Sequence, residues 1–365
     1  MADYTAFLSA SADERRGAFL ATAARLNTAE INVEKDFWVC WTLDALFNRL
    51  TGERPRLLFK GGTSLSKDYN LISRFSEDVD VTVFRDDLGQ AVSALDLEGL
   101  SNTKRKAKLD EIKVACQAYV AGPLLEQLAN VLAESLAAAG LEASSAHIEP
   151  DPDDRDGQTL LLWYPTVSGP AGGDAYVRPA VKIESGAKSA LDPNPPLTIG
   201  PYVHDDLPGI DLRVHGVVTV DPERTFWDKV VIAHGLRRWF GARGVIRGGG
   251  QRVTRHYYDL HQLMESEIGE RALGDLVLGA DCVGHARMFF NSPDLDLGSA
   301  TPGTFALKPT ADMLKPLEAD YRAMSGMIFR QAPAFETVMD SMARLDTRLN
   351  AAPRGQTAEG SAAED

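Results

Sequence analysis

The sequence has few cysteines and no long apolar run. Its 365 residues include only three cysteines, Cys40, Cys116 and Cys282, which are too far apart for a CxxC metal knuckle and odd in number for a disulfide framework. No uninterrupted apolar stretch of about 18 residues appears, and the start has no basic segment followed by an apolar run. We therefore expect a soluble, unexported, cytoplasmic protein with no membrane partner.

The chain is also poor in basic residues. Lysine and arginine number 38 against 52 aspartates and glutamates, which gives a formal net charge of −14 at pH 7. This balance provides no general attraction to nucleic acid or to an anionic membrane, so any contact with RNA must come from a local basic patch. A hydrophobic content of 44% is enough for a sizeable core and excludes disorder of the whole chain.

The first part of the chain is typical of an α/β fold. Apolar residues at helical spacing predict a packed helix over 32–50, and a short apolar run predicts a strand over 57–59 that ends at a glycine turn and a further helix. Alternating valines predict a second strand over 79–83. Two β-rich runs, 160–164 and 176–184, are separated by a Gly/Pro/Ser turn, so we expect them to pair as a hairpin.

The later part of the chain looks mostly helical. A helix is predicted from Lys104 to about Ala139, a Pro- and Asp-rich loop over 191–210, and a helix that opens at Asp221-Pro222. We therefore predict three parts: an N-terminal domain over 1–220, a helical C-terminal domain over 221–352, and a disordered tail over 353–365.

Two aspartates on the second predicted strand are candidate metal ligands. Asp78 and Asp80 are spaced by one residue, so their side chains point the same way and could bridge hard divalent cations such as Mg²⁺. A solvated strand face is the more common explanation of such a pair when nothing accompanies it.

A glycine turn one helix earlier strengthens the metal interpretation. Gly61 and Gly62 let backbone amides approach a ligand closely, and Thr63 and Ser64 add hydroxyls at the start of the following helix. The glycine turn and the acidic strand together predict a triphosphate cradle beside a metal site.

Residues 58–67, LFKGGTSLSK, and 74–80, RFSEDVD, resemble the AbiEii/AbiGii toxin family of DNA polymerase β-like nucleotidyltransferases. The resemblance implies a mixed α/β (α+β) fold, with a polymerase β-like core built on a mixed sheet and a C-terminal helical domain. It also implies that the turn from Gly61 to Ser64, together with Lys67, binds a nucleoside triphosphate, and that Asp78 and Asp80 bind two Mg²⁺ ions.

Four further segments extend the resemblance to about residues 30–265. Residues 33–38, VEKDFW, resemble a segment that the family carries before its glycine turn, although a charge cluster at a helix start is the favoured explanation. Glu184, at a predicted strand end, is the candidate third catalytic carboxylate. Lys229 resembles the family's lysine motif and would bind nucleotide phosphate, with a snorkelling structural lysine as the alternative. Asp259 is the acid of a stretch that resembles the fourth motif.

A basic segment runs against the acidic total. Between His234 and His256 there are six arginines and no acidic residue, which predicts contacts to RNA or to the triphosphate, with a solvated basic loop as the alternative. These candidates are Arg237, Arg238, Arg243, Arg247, Arg252 and Arg255.

The resemblance implies a Mg²⁺-dependent enzyme that transfers a nucleoside monophosphate from GTP or another NTP to an acceptor such as a tRNA 3′ end. It further implies the toxin of a bacterial toxin-antitoxin or phage-defence system, with a cognate antitoxin as partner. Three alternatives stay open: nucleotidyl transfer to a small molecule, transfer to a protein, and a non-catalytic nucleotide-binding regulator. The donor base, the acceptor and the oligomeric state are not determined by the sequence.

Overall fold

The computed structural model describes most of the chain. The described residues are 2–67, 71–72, 74–75, 78–168, 178–250, 252–325, 327–329 and 331–351. The predicted tail over 353–365 and most of the predicted turn before the second strand of the hairpin lie outside the described residues.

The chain divides into two compact units. The first contains the described residues of Met1–Pro222 and of Met327–Gln331, and the second contains those of Glu223–Gly326 and Ala332–Asp365. The sequence predicted a first domain that ends at residue 220. It did not predict that residues from Met327–Gln331 would also belong to the first unit.

The first unit consists of seven helices and seven strands within the described residues. Its helices are α1 (Tyr4–Leu8), α2 (Ala12–Leu26), α3 (Glu30–Asp44), α4 (Gly61–Lys67), α5 (Ala94–Glu98), α6 (Asn102–Tyr119) and α7 (Leu125–Ala138). Its strands are β1 (Leu57–Lys60), β2 (Asp78–Val83), β3 (His147–Pro150), β4 (Thr159–Trp163), β5 (Ala180–Gly186), β6 (Pro196–Ile199) and β7 (Val214–Val218).

Five of these strands form one mixed sheet in the order β1-β2-β5-β4-β3. Strands β2 and β5 run parallel, and the other neighbouring pairs run antiparallel. The predicted α/β class with a mixed sheet is therefore confirmed, as is the predicted hairpin, which is the β4–β5 pair. Strands β6 and β7 form a separate two-stranded sheet.

One face of the central strands supplies the core of this unit. Val79 and Val81 of β2 and Val181 and Ile183 of β5 are fully buried, because alternate residues of a strand point to the same side. Helix α3 packs on both strands. Polar residues occupy the opposite face of the same two strands.

Helix α3 is the predicted helix over 32–50, with different ends. It begins at Glu30 and ends at Asp44, where one π-helical turn, Ala45–Arg49, continues the chain. Glu34 and Asp36 therefore lie in the body of the helix and are buried, so the explanation of residues 33–38 as a charge cluster at a helix start is wrong.

Two other predicted elements differ in detail. The helix predicted from Lys104 to Ala139 is divided into α6 and α7 by a π-helical turn that contains Pro123, which has no amide hydrogen to donate. The loop predicted over 191–210 contains β6, which begins at Pro196. Proline is tolerated at the first residue of a strand, although a proline-rich segment is more typical of a loop.

The second unit is helical within the described residues, as predicted. Its helices are α8 (Pro222–Arg243), α9 (Thr254–Met264), α10 (Glu267–Gly274), α11 (Leu276–Phe289), α12 (Ala311–Ser325) and α13 (Phe335–Ala351). Pro222, the first residue of α8, still belongs to the first unit. Across the described part of the chain, no helix combines the length and the apolar character needed to cross a bilayer.

We expect Phe37→Ala to be among the more destabilising core changes. The Phe37 ring is fully buried and its centroid lies 4.9 Å from that of Phe7 and 5.3 Å from that of Tyr4. Truncating a buried phenylalanine lowers the free energy of unfolding by about 3–5 kcal/mol. Denaturant unfolding followed by circular dichroism measures the loss. The control Val114→Ala, at a residue that is 61% exposed, should change stability little, and equal losses for the two variants would contradict this account.

Candidate active site

The predicted acids meet on the polar face of the sheet. In the parallel β2–β5 pair, Asp78 lies opposite Lys182 and Asp80 lies opposite Glu184. All four side chains therefore share one face, and the four residues are partly exposed. The structure thus brings together the three carboxylates that the sequence predicted on two strands, Asp78 and Asp80 on one and Glu184 on the other. It also places a lysine on this face, to which the sequence gave no role.

The first glycine of the turn lies directly against this face. Gly61 has a φ of +83°, a conformation that favours glycine, and a Cβ atom at this position would collide with the Asp80 carboxylate. Lys60, the residue before it, lies opposite Asp80 in the antiparallel β1–β2 pair. The absence of a side chain at residue 61 therefore leaves the space that the Asp80 carboxylate occupies.

The second glycine accommodates a buried arginine. A Cβ atom at Gly62 would collide with the guanidinium of Arg74, which is 5% exposed. Sequence reasoning gave Arg74 no role, although it begins the RFSEDVD stretch that carries the resemblance. Two successive glycines thus make room for two charged groups, a carboxylate at Gly61 and a guanidinium at Gly62.

The hydroxyls of the turn bond within the protein. Thr63 Oγ1 donates to the backbone oxygen of Asp78 at 2.6 Å, and Ser64 Oγ donates to the backbone oxygen of Gly61 at 2.8 Å. Both residues are fully buried. Thr63 therefore ties α4 to the first residue of β2, and nucleotide binding by these hydroxyls stays a prediction.

Lys182 is a cation on the acidic face. Its Nζ lies 2.8 Å from a Glu184 oxygen and 3.6 Å from an Asp151 oxygen. Partial burial opposes the positive charge, but Glu184, Asp78 and Asp151 outweigh it and raise the pKa of Lys182 above its usual value. The signal that could have identified this residue is the alternation over 181–184, which places a lysine on the same strand face as Glu184.

The donor set on this face fits Mg²⁺. Carboxylate oxygens are the hard ligands that Mg²⁺ prefers, and the space left by Gly61 admits the Asp80 carboxylate. Within the described residues, no group of three or more His, Cys, Asp or Glu side chains is arranged to hold a metal ion alone. Mg²⁺ is commonly bound by one or two carboxylates together with substrate phosphates, so Asp78 and Asp80 suit an ion that shares its ligands with a nucleotide.

Lys67, predicted to bind nucleotide, forms a buried ion pair with Asp36 of α3. The two side chains are 2% and 1% exposed. The Lys67 Nζ also lies 3.4 Å from the centroid of the Tyr202 ring. Burial alone would lower the pKa of Lys67, but the carboxylate of Asp36 raises it above its usual range.

The two late motifs meet inside the second unit. Lys229 of α8 and Asp259 of α9 form an ion pair of 2.8 Å, with side chains that are 7% and 0% exposed. The start of α9 is held by Asp320 of α12, which accepts hydrogen bonds from the backbone nitrogens of Arg252 and Thr254. The predicted nucleotide-binding role of Lys229 and the catalytic role of Asp259 stay predictions.

The six predicted phosphate-binding arginines are not all equally available. Arg243 Nε donates to Asp294 at 2.8 Å, and Arg238 lies 3.5 Å from Asp296, so acids from outside the segment offset part of its charge. The remaining members, Arg237, Arg247, Arg252 and Arg255, are partly or fully exposed. The local positive charge is therefore smaller than the sequence of the segment indicates.

An aromatic residue lies among these arginines. The guanidinium carbons of Arg243 and Arg247 lie 5.6 Å and 5.4 Å from the centroid of the Trp239 ring. Arginine and an exposed ring face are the groups on which unpaired bases and phosphates bind. The Trp239 contacts were not anticipated from the sequence.

The sequence matches the family described as nucleotidyl transferase AbiEii toxin, type IV toxin-antitoxin system, over residues 44–341. The chain belongs to the AbiEii family. It is therefore a nucleotidyltransferase toxin of a type IV toxin-antitoxin system, and membership of the family implies an NTP substrate and an antitoxin partner.

Other comparisons add little to the AbiEii assignment. The chain is similar to MenT4, a nucleotidyltransferase toxin from Mycobacterium tuberculosis H37Rv, with 15% identity and a TM-score of 0.38. That similarity covers 92% of this chain and 97% of the other. Comparison with curated proteins finds no match. The family membership rests on the sequence match over residues 44–341.

We expect Lys182→Met to strengthen binding of divalent cations to the acidic face. Its ammonium competes with a metal ion for the carboxylates, and two unit charges about 4 Å apart in water interact by about 1 kcal/mol, equivalent to about fivefold in affinity. Electron paramagnetic resonance of Mn²⁺ measures the binding without any need for turnover. The control is Lys113→Met, which removes a lysine paired with Asp156. Weaker Mn²⁺ binding in Lys182→Met would show that the ammonium supports the acids rather than competing for them.

We expect Asp259→Ala to destabilise the second unit. It removes the carboxylate that pairs with the buried Lys229 ammonium, which costs about 3–5 kcal/mol, and adding Lys229→Met should recover part of the loss. Urea unfolding measures both changes. Glu318→Gln, in the exposed Glu318–Arg322 pair, should change the free energy by less than about 1 kcal/mol. A double variant as unstable as Asp259→Ala would exclude the buried Lys229 ammonium as the cause.

Proposed function

We propose that this AbiEii-family protein transfers a nucleoside monophosphate from an NTP to an RNA acceptor, such as the 3′ end of a tRNA, in a Mg²⁺-dependent reaction that releases pyrophosphate. Its inhibition of the cell would follow from modification of the acceptor, under control of a cognate antitoxin. We place this activity in the cytoplasm and in defence against phage.

The observation that carries the proposal is the cluster of charged groups on the polar face of β2 and β5. Asp80 lies opposite Glu184, and Gly61 leaves room for the Asp80 carboxylate. Three carboxylates on adjacent strands, beside a turn without side chains, form a site for a polyphosphate that arrives with its metal ions. A solvated strand face would not require a glycine in the left-handed region beside one of its acids.

The three acids of this face and the two glycines beside it have proposed roles. Asp78 and Asp80 hold Mg²⁺, which would supply Lewis-acid stabilisation of the charge that develops on the α-phosphate and on the leaving pyrophosphate. Glu184 orients the attacking hydroxyl of the acceptor. The turn at Gly61 and Gly62 lies beside the triphosphate, and its missing side chains admit the Asp80 carboxylate and the Arg74 guanidinium.

Two residues of the second unit have proposed roles of their own. The family resemblance assigns nucleotide phosphate to Lys229 and a supporting role to Asp259. The Asp259 carboxylate lies 2.8 Å from the ammonium of Lys229, whose side chain is 7% exposed.

The choice of RNA as acceptor rests on the arginines near the end of α8. Arg247 is exposed and packs on the Trp239 ring, and Arg237 of α8 is partly exposed. This arrangement suits stacking and phosphate contact with an unpaired RNA end. The net charge of −14 favours a small-molecule or protein acceptor instead, so the acceptor has to be tested directly.

We expect Asp80→Asn to reduce transfer by about 100- to 1000-fold, the range for removing one group that stabilises charge in a transition state. The assay incubates the protein with Mg²⁺, total bacterial tRNA and each of the four α-labelled NTPs in turn. Transfer of label to RNA identifies the donor as well as the acceptor. The control Asp86→Asn removes an exposed aspartate just beyond β2 and should retain activity.

Each outcome of this assay bears on the proposal. Label on RNA with the unmodified protein and Asp86→Asn, but not with Asp80→Asn, supports it. Label on protein or on a small molecule, with none on RNA, overturns the RNA acceptor and keeps the nucleotidyl transfer. Full activity of Asp80→Asn overturns the metal assignment. Since phosphate contacts weaken steeply with salt, repeating the RNA reaction at rising salt separates RNA binding from catalysis.

A further inference from the structure

One charged residue of α3 contacts one charged residue of α4, although the sequence gave the two no common role. Asp36, in a segment without an assigned role, and Lys67, at the end of the glycine-turn helix, form an ion pair. The two residues are 31 positions apart in the chain, and the whole of β1 lies between them. This contact joins the helix behind the sheet to the helix that carries the glycine turn.

The pair is enclosed on several sides. Its side chains are 2% and 1% exposed, and the Lys67 Nζ lies 3.4 Å from the centroid of the Tyr202 ring. The backbone nitrogen of Tyr202 donates to Asp36 Oδ2 at 2.7 Å, so the same carboxylate holds both an ammonium and the loop before β7. Burial raises the pKa of the Tyr202 phenol to about 12, which leaves a neutral ring against the ammonium.

This enclosure argues against direct phosphate binding by Lys67. A phosphate would have to reach an ammonium that is closed off by an aspartate and an aromatic ring. Moving the lysine out would leave the Asp36 carboxylate buried without its cation, which is costly. The Lys67 ammonium therefore stays buried in the first unit, in contact with Asp36 and Tyr202.

The position of α4 depends on what holds its two ends. At its start, Gly61 fits against Asp80 and Thr63 donates to the backbone oxygen of Asp78. At its end, Lys67 is fixed by Asp36. The short helix is thus attached to the acidic strand at one end and to α3 at the other.

We infer that the Asp36–Lys67 pair is a positioning device for the glycine turn, so that Asp36 controls nucleotide binding without touching the nucleotide. The inference rests on the proposed function for the identity of the ligand. It assigns Lys67 to anchoring α4 in place of the direct phosphate contact that the family resemblance suggested.

The test combines two measurements on Asp36→Asn, Lys67→Met, Lys67→Arg and the double variant Asp36→Asn with Lys67→Met. Hydrogen-deuterium exchange of peptides that span residues 57–67 is measured on the nucleotide-free protein. Equilibrium binding and KM are measured with ATP, GTP, CTP and UTP. The control Asp44→Asn removes another buried carboxylate of α3, one that accepts from Asn48.

The expected result is a shared effect of the two single variants. Each should accelerate exchange over residues 61–67 and weaken NTP binding by roughly 10- to 100-fold, the range for groups that orient a binding residue. The double variant should bind no worse than either single one, because both remove the same contact. Lys67→Arg should recover most of the affinity, the KM for the acceptor should stay unchanged, and Asp44→Asn should leave exchange and affinity unaltered.

Other results overturn the inference. If Asp36→Asn keeps normal exchange and NTP affinity while Lys67→Met loses affinity, Lys67 binds phosphate directly. If Asp44→Asn has the same effect as Asp36→Asn, loss of any buried carboxylate of α3 is enough to accelerate exchange and weaken NTP binding, and the Asp36–Lys67 contact has no special role. If the unmodified protein binds none of the four NTPs, the proposed function fails, and the exchange over residues 61–67 alone then decides whether the pair anchors the turn.

Discussion

The parallel pairing of β2 with β5 is the constraint on which the active site depends. It places Asp80 opposite Glu184 and Asp78 opposite Lys182, and the buried valines of the alternate positions fix that register. A slip by one residue would turn the carboxylates into the core and the valines to the polar face, at great cost. Apolar and charged residues alternate along β2 and β5, so the apolar ones form the core on one face and the charged ones form the site on the other.

Local pattern predicted much of this arrangement. Period-two alternation identified β2 and the shared face of Asp78 and Asp80, and helical spacing located α3. The partner of β2 could not be read in the same way, because it lies about 100 residues later and sequence periodicity carries no information about which strands pair. For the same reason Lys182 was missed: its importance comes from its neighbours across the sheet.

Charge illustrates the same limit. The arginine segment after His234 looks strongly basic when read along the chain, yet Asp294 and Asp296 come from elsewhere in the second unit to pair with two of its members. Conversely, Lys67 and Asp36 look like independent charges and form one buried pair. The electrostatics of a site depends on distances in space, and a window of sequence counts only charges that are close along the chain.

Helix α3 shows why buried charges can specify a site more sharply than apolar packing does. Its Glu34 accepts hydrogen bonds from the backbone nitrogens of Val167 and Ser168, in the segment that follows β4, while its Asp36 holds Lys67 at the end of α4. An apolar contact tolerates small shifts, whereas a buried carboxylate loses its compensation when a donor moves away. Helix α3 lies on the apolar side of the sheet, and its two carboxylates contact two different parts of the first unit. Asp36 holds the end of the glycine-turn helix and Glu34 holds the segment after β4, so the same helix positions both of these parts.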